Sequence, residues 1–261
     1  MSAQGKLALI TGASSGIGEA TARAFAASGY RVVLVARGVE KLKGVAEAIG
    51  ERAIVEACDA SDGAAVLAMA DRVMKRDGAP DVIVNCAGAG VWKYVEHTTP
   101  AEMNLMMQAP YFSAFTITHA FMNALLARKS GVIVHVGSPA SMFPWAESTG
   151  YVAARWALRG LNEALNQDLA GTGVHSCHAV FARVDSPYFA NNGVGEEKIP
   201  SISNSIRTMA VGECAQKLVG LAENPRREAL WPFMLRVYAL IHWVMPWLVL
   251  WLLRVTGPKR P

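Results

Sequence analysis

Cysteine and charge are both scarce in this chain of 261 residues. The four cysteines, Cys58, Cys86, Cys177 and Cys214, fall at no paired or ligand-like spacing. That pattern argues against a disulfide framework or a thiolate metal site and implies reduced thiols. Six histidines are present, again without ligand spacing; His175 and His178 flank Cys177 and read as strand residues. Charged residues make up only 18% of the chain, the net charge is +4, and the cations are scattered, so nucleic-acid binding has no support. There is no low-complexity tract, internal repeat or linker to mark an independent second domain. The apolar run at 7–10 breaks at Thr11-Gly12, too soon for an export signal and at the right length for a buried strand. A cytoplasmic protein is expected. Acidic residues are wholly absent after Glu228.

What is present is apolar and alternating. Hydrophobic residues account for 52% of the chain. Strand-like runs at 7–10, 31–36, 53–57, 82–85, 132–137 and 174–181 are separated by helical stretches at 16–28, 39–49, 63–75, 100–127 (broken near Pro110) and 150–170. This order predicts an α/β chain, a Rossmann-like, doubly wound parallel sheet covered on both faces. A polar segment at 191–206 reads as a mobile loop, 211–222 as another helix, and 228–231 as a last short strand. Residues 1–230 are expected to form the main body, with 231–261 a hydrophobic, Trp-rich helical extension of the same domain.

Gly12, Gly16 and Gly18, in Thr-Gly-Ala-Ser-Ser-Gly-Ile-Gly, follow the first strand and open the first helix. A chain that must turn tightly and approach a phosphate needs glycine there, and the helix start then offers free N–H groups and a positive dipole end. Ser14, Ser15 and Ile17 fall in the same turn. The end of the second strand selects between nucleotides. A carboxylate there bonds ribose hydroxyls, but this chain has Val35-Ala36-Arg37, and a guanidinium suits a 2′-phosphate. The residues therefore favour NADP(H) over NAD(H).

Further down the chain lie Asp59 after the third strand, Asn85-Cys86-Ala87-Gly88 after the fourth, Ser138 after the fifth, and Tyr151 with Arg155 one helical turn apart on the next helix. In this order, from about residue 5 to residue 190, the chain resembles the short-chain dehydrogenase/reductase family. The resemblance implies that Asp59 bonds the adenine and that Asn85, Ala87 and Gly88 support the sheet and line the cofactor. It also implies hydride transfer at a carbonyl or carbinol carbon, with Tyr151 exchanging the proton and Ser138 positioning the oxygen.

The chain departs from the family pattern at the lysine of Tyr-x-x-x-Lys, which is Arg155 here. Residues i and i+4 share a helix face, so Tyr151 and Arg155 both point into one cleft. A phenol needs a nearby cation to act as a base near neutrality. Arg155 supplies that charge but has no proton to give up. The family's relay asparagine aligns with Gln108, and its Pro-Gly with Phe181-Ala182. Two outcomes follow: a working enzyme with a modified relay, or a nucleotide-binding, membrane-associated scaffold with little turnover.

The stretch 237–253 is interrupted only by His242 and Pro246, and Arg236, Arg254, Lys259 and Arg260 flank it. Four of the seven tryptophans lie beyond Glu228, and Trp243, Trp247 and Trp251 repeat every four positions, a single stripe if one helix carries them. Indoles flanked by cations suit a bilayer interface, while the proline and the length argue against a span of about 20 residues. Peripheral membrane contact through 231–261, at the cytoplasmic face, is one expectation; closure of a substrate pocket is the other. A small, hydrophobic, lipid-like or steroid-like ketone or alcohol would suit either, and self-association into a homo-oligomer is expected.

Overall fold

The chain alternates strand and helix because its short apolar runs are bounded by glycine, proline or capping residues. In the computed structural model, which describes residues 5–260, the elements run β1 (Leu7–Thr11), α1 (Gly16–Ala27), β2 (Arg31–Ala36), α2 (Val39–Ile49), β3 (Ala53–Ala57), α3 (Gly63–Asp77) and β4 (Val82–Asn85). There follow α4 (Pro100–Met107), α5 (Ser113–Arg128), β5 (Gly131–Gly137), α6 (Thr149–Asp168) and β6 (Val174–Phe181). The chain ends through β7 (Val184–Asp185), α7 (Tyr188–Asn192), β8 (Met209–Ala210), α8 (Val211–Glu223), β9 (Glu228–Trp231), α9 (Phe233–Val244) and α10 (Pro246–Thr256). Residues 1–4 and 261 of the expected body and extension lie outside the described residues.

Seven parallel strands form one sheet in the order β3-β2-β1-β4-β5-β6-β9. Side chains alternate across each strand, so both faces need apolar cover. Ala8, Ile10, Val32 and Leu34 pack under α1, α2 and α8 with Phe25, Leu42 and Leu218. Leu7, Leu9, Val33 and Val35 pack on the opposite face against α3 and α5 with Met69, Ile117 and Phe121. Each such buried Val, Leu, Ile, Phe or Met contributes about 1.5–3 kcal/mol of hydrophobic stabilisation. Helix starts are sealed locally: Asp62 Oδ1 accepts from the amides of Ala64 at 3.0 Å and Ala65 at 3.1 Å, and Thr99 with Glu102 forms a reciprocal capping box.

Three expectations change in detail. The break near Pro110 is a widened π-type turn over Gln108–Phe112 between α4 and α5, which accommodates a residue that has no N–H to give. Residues 191–206 are not a featureless loop. They contain the end of α7 and the short turns Glu196–Lys198 and Ser201–Ser205, and Trp145 Nε1 donates to Lys198 O at 3.1 Å while Lys198 Nζ donates to Trp92 O at 3.0 Å. Polar composition hid the apolar anchors Ile199 and Ile206, which pack inward. Lastly, Pro246 divides the C-terminal apolar run into α9 and α10, bent by 120°, so Trp243 sits on one helix and Trp247 and Trp251 on the other. Among the described residues no single helix is long and apolar enough to cross a membrane.

Candidate active site

A cleft of about 890 Å³ opens at the carboxyl ends of β1, β2, β4, β5 and β6, where doubly wound sheets place their ligands. Its floor at one end is the glycine turn. Gly12 and Gly16 have positive φ, 66° and 56°. A Cβ on Gly18 would lie 2.2 Å from Gly12 O, and one on Gly12 only 3.1 Å from Ala87 N. The turn is thus closed by backbone packed on backbone, and Thr11 Oγ1 fastens it to the next loop by accepting from Cys86 N at 3.1 Å and Ala87 N at 3.2 Å. Ser14, Ser15, Gly16, Ile17, Ala87 and Gly88 all line the cleft. The geometry fits a pyrophosphate cradle.

Arg37 and Asp59 stand together at the outer end, 4.0 Å apart, with the arginine side chain largely exposed. Burial favours the neutral form of Asp59, but bonds from Ser61 N at 2.9 Å and Ser61 Oγ at 2.7 Å, with the Arg37 charge, hold its carboxyl below the ordinary range. Asp59 is therefore an ionised acceptor, and Arg37, its ion-pair partner, lines the cleft with its side chain largely exposed. Asn85 is placed differently from the expectation that it lines the cofactor. It is buried on β4, does not line the cleft, and its Nδ2 lies 3.3 Å from His135 Nδ1. Its Nδ2 is directed to the neighbouring strand, bracing β4 against β5, while its Oδ1 is buried without a partner.

The catalytic candidates meet at the middle of the cleft. The buried positions of α6 are Gly150, Tyr151, Ala154, Arg155, Leu158 and Asn162, an i, i+3, i+4 stripe that turns Tyr151 and Arg155 the same way. α6 can seat closely because Gly150 has no side chain: a Cβ there would lie 2.2 Å from Met106 Cε. Arg155 Cζ lies over the Tyr151 ring, 5.0 Å from its centroid. Its Nη1 donates to Val136 O at 3.2 Å, and its Nε is buried without a partner. Burial works against that charge, yet the facing phenols of Tyr151 and Tyr188 hold the guanidinium above its ordinary value. Gly88 makes room for it, since a Cβ there would lie 2.8 Å from Arg155 Nη2. Ser138 directly follows β5 and lines the cleft, its Oγ accepting from Ala140 N at 3.3 Å, and Gln108 reaches the same space from the widened turn.

Several residues of this centre escaped the sequence reading. Trp92, Trp145, Tyr188 and Phe189 surround Tyr151: Trp92 meets the Tyr151 ring edge-on at 5.7 Å and packs, tilted, against Phe189 at 5.4 Å, and Trp145 lies 6.2 Å from Tyr151. Only Tyr188 had a usable signal, its place directly after Ser186-Pro187. Beyond the aromatic ring the wall is apolar. Phe143, Phe181, Ile202 and Ile206 are joined there by Leu235 and Tyr238 of α9 and by Val249 and Leu253 of α10. Burial pushes the Cys86 thiol beside the glycine turn up to about 12, leaving it protonated and inert.

Comparison with known proteins agrees with this geometry. A family model described as short chain dehydrogenase matches residues 6–193. An uncharacterized oxidoreductase of Mycobacterium bovis is 33% identical over 208 residues, covering 77% of this chain and 61% of the relative, so the chain spans less than two thirds of that protein. A fatty acyl-CoA reductase of Acinetobacter baylyi is 28% identical over 232 residues, 87% of this chain and 76% of its own. Among solved structures, a metagenomic short-chain oxidoreductase in complex with NADP superposes with a TM-score of 0.74 at 31% identity, covering 88% of this chain and 98% of that one. A 3-ketoacyl-(acyl-carrier-protein) reductase from Brucella melitensis complexed with NADH does so with 0.79 at 26%, covering 88% and 97%. With the glycine cradle, the Ser138–Tyr151 pair and a match over most of its length, this chain belongs to the short-chain dehydrogenase/reductase family of oxidoreductases.

Proposed function

We propose that the protein interconverts a hydrophobic, lipid-like ketone and its secondary alcohol with NADP(H). The observation that carries this reading is the makeup of the cleft. A glycine turn with an exposed Arg37 lies at one end, Ser138 and Tyr151 at the centre, and a wall of Phe143, Ile206, Leu235 and Leu253 at the other. When bound, the nicotinamide supplies or accepts the hydride. Tyr151 gives its proton to the substrate oxygen in reduction and takes it back in oxidation, Ser138 holds that oxygen by a hydrogen bond, and Arg155 stabilises the phenolate by its charge. Arg37 favours the 2′-phosphate, and Asp59 accepts from the adenine end. The similarity to a fatty acyl-CoA reductase supports a long apolar substrate.

The same reading seats the protein on a lipid surface. Trp243, Trp247 and Trp251 are 82%, 67% and 55% exposed on the outer side of α9 and α10, whose inner residues wall the cleft. No acid follows Glu228, while Arg254 and Lys259 add positive charge. Indoles with cations are attracted to anionic bilayers. Exposed Leu105, Phe112, Phe115 and Trp156 supply an apolar face for pairing of two copies, which sedimentation would detect.

The deciding assay follows NADPH consumption with long-chain ketones, with and without anionic vesicles. Turnover that rises with chain length and with vesicles supports the reading. NADPH binding without turnover on any ketone would instead favour a nucleotide-binding scaffold, in which Arg155 no longer serves a proton relay. Failure to sediment with the vesicles would remove the lipid surface while leaving the chemistry standing.

A further inference from the structure

Three phenols line the cleft: Tyr151, Tyr188 and Tyr238. Tyr238 pairs with Ser205 Oγ at 2.8 Å, and Tyr151 carries the acid/base role. The hydroxyl of Tyr188 is buried and makes no well-formed hydrogen bond, although the Arg155 guanidinium and the Tyr151 phenol both lie near enough to act on it. A hydroxyl stripped of water without a hydrogen bond costs about 1–3 kcal/mol, so its retention calls for a use.

The position of this hydroxyl is specific. A Cβ on Gly90 would lie 2.6 Å from Tyr188 Oη and 3.0 Å from both Cδ2 and Cε2 of Tyr151. The Tyr188 hydroxyl therefore sits beside the edge of the Tyr151 ring, in space that glycine leaves open. The ring's face is taken by Arg155, stacked 5.0 Å from the centroid. Tyr188 is held there by its neighbours. Asn192 Nδ2 donates to Tyr188 O at 2.7 Å, Asn192 Oδ1 accepts from Gly90 N at 3.0 Å, and Phe189 packs on both Tyr188 and Trp92.

We propose that Tyr188 is a positioning residue for Tyr151, its hydroxyl donating to the Tyr151 oxygen whenever that oxygen carries negative charge. Arg155 lies over the ring face, donates to Val136 O and stands close to both phenols; it supplies charge, while Tyr188 supplies a second donor from the ring edge. The proposal rests on the acid/base role given to Tyr151 above. In reduction the carbonyl carbon takes the hydride, the carbonyl oxygen takes the Tyr151 proton, and the phenolate left behind accepts the hydrogen bond from Tyr188. In oxidation the order is reversed. The Tyr188 proton never leaves its oxygen, and no bond breaks there.

Electrostatics suit a permanent donor. Burial raises Tyr188 above the ordinary phenol range, negative charge on Tyr151 raises it further, and Arg155 only partly offsets them. Tyr188 is thus protonated at every working pH. Tyr151 and Arg155, both from α6, are the ionisable groups that act on it; the neutral Asn192 faces it from α7, and His178 on β6 acts on Arg155 from behind.

The test uses the full chain with Tyr188→Phe, which deletes one unpartnered atom and keeps the ring. A net hydrogen bond of ordinary strength corresponds to about one pH unit. The alkaline limb of ketone reduction and the acid limb of alcohol oxidation should both move up by about that amount, with NADPH affinity retained. A second reading needs no turnover. The Tyr151 contribution to tyrosinate absorbance, isolated by subtracting the Tyr151→Phe protein, should move up by the same amount in Tyr188→Phe. In a Tyr151→Phe background, adding Tyr188→Phe should change residual turnover no further. Unmoved limbs and absorbance, additive losses in the double variant, or a Tyr188→Phe protein that fails to fold would each overturn the proposal. A chain without turnover whose tyrosinate signal still moves would refute the enzymatic reading alone.

Discussion

Replacing Arg155 by methionine should make the protein less active and more stable at once. The cation lies 5.0 Å from the centre of the Tyr151 ring. At an effective dielectric of about 20, unit charges at that separation interact by about 3 kcal/mol, equivalent to roughly 100-fold in rate. Solvent in the open cleft will reduce this, so a 10- to 100-fold fall in kcat/KM is expected where Tyr151 must carry charge. Stability should move the other way. Arg155 is buried, keeps one hydrogen bond to Val136 O and leaves its Nε unpartnered, and a poorly satisfied buried ion is often replaced without loss by an apolar side chain of similar length. A gain of about 1 kcal/mol would raise Tm by about 2–4 °C in a chain of this size. Steady-state kinetics and a thermal melt on the same preparation provide both readouts. Unchanged kcat/KM would refute the electrostatic role, and a lower Tm would show that the guanidinium holds the fold together.

Three further outcomes are expected. Gly18→Ala places a methyl group 2.2 Å from Gly12 O, so the glycine turn must open; calorimetry should show dinucleotide binding lost while the fold persists. On the proposed reading, Arg37→Gln removes a charge-assisted bond of about 1.5–3 kcal/mol to the 2′-phosphate, so NADPH affinity should fall about 10-fold or more while NADH affinity stays constant; equal losses for both would assign Arg37 elsewhere. Burial favours the neutral form of Glu228, but His178 Nδ1 at 3.2 Å and Arg159 Nε at 3.0 Å hold its carboxyl below the ordinary range. A depressed carboxylate stabilises the fold above its unfolded value, about 4.3, and loses that contribution as the pH falls through the folded value. Glu228→Gln should therefore flatten the acid limb of a plot of Tm against pH, and an identical limb would show that the pair contributes nothing.

Local chemistry was enough to reveal the sheet and the glycine turn after its first strand. β2, β3, β4, β6 and β9 begin and end where the strand-like runs do, because a parallel sheet covered by helices draws on short, largely apolar segments. The turn at Gly12, Gly16 and Gly18 is equally local, its shape depending on positive φ and on backbone contacts that only glycine permits. The spacing of Tyr151 and Arg155 places them on one face of α6 for the same reason: helical period is a property of neighbouring residues.

Contacts between distant residues could be decided only by the tertiary structure. Asn85 belongs to a motif that suggests a cofactor contact, yet the packing of β4 against β5 turns its amide to His135. Tyr188 enters the centre because Asn192 ties α7 to Gly90 across 102 positions, a separation that leaves no periodic trace. The C-terminal tryptophans looked like one stripe. Pro246 bends the run by 120°, and the fold then presses Leu235, Val249 and Leu253 against the cleft while turning Trp243, Trp247 and Trp251 outward. Composition supplied that segment's hydrophobicity, but its division into a pocket wall and an exposed face depends on what the rest of the chain places beneath it.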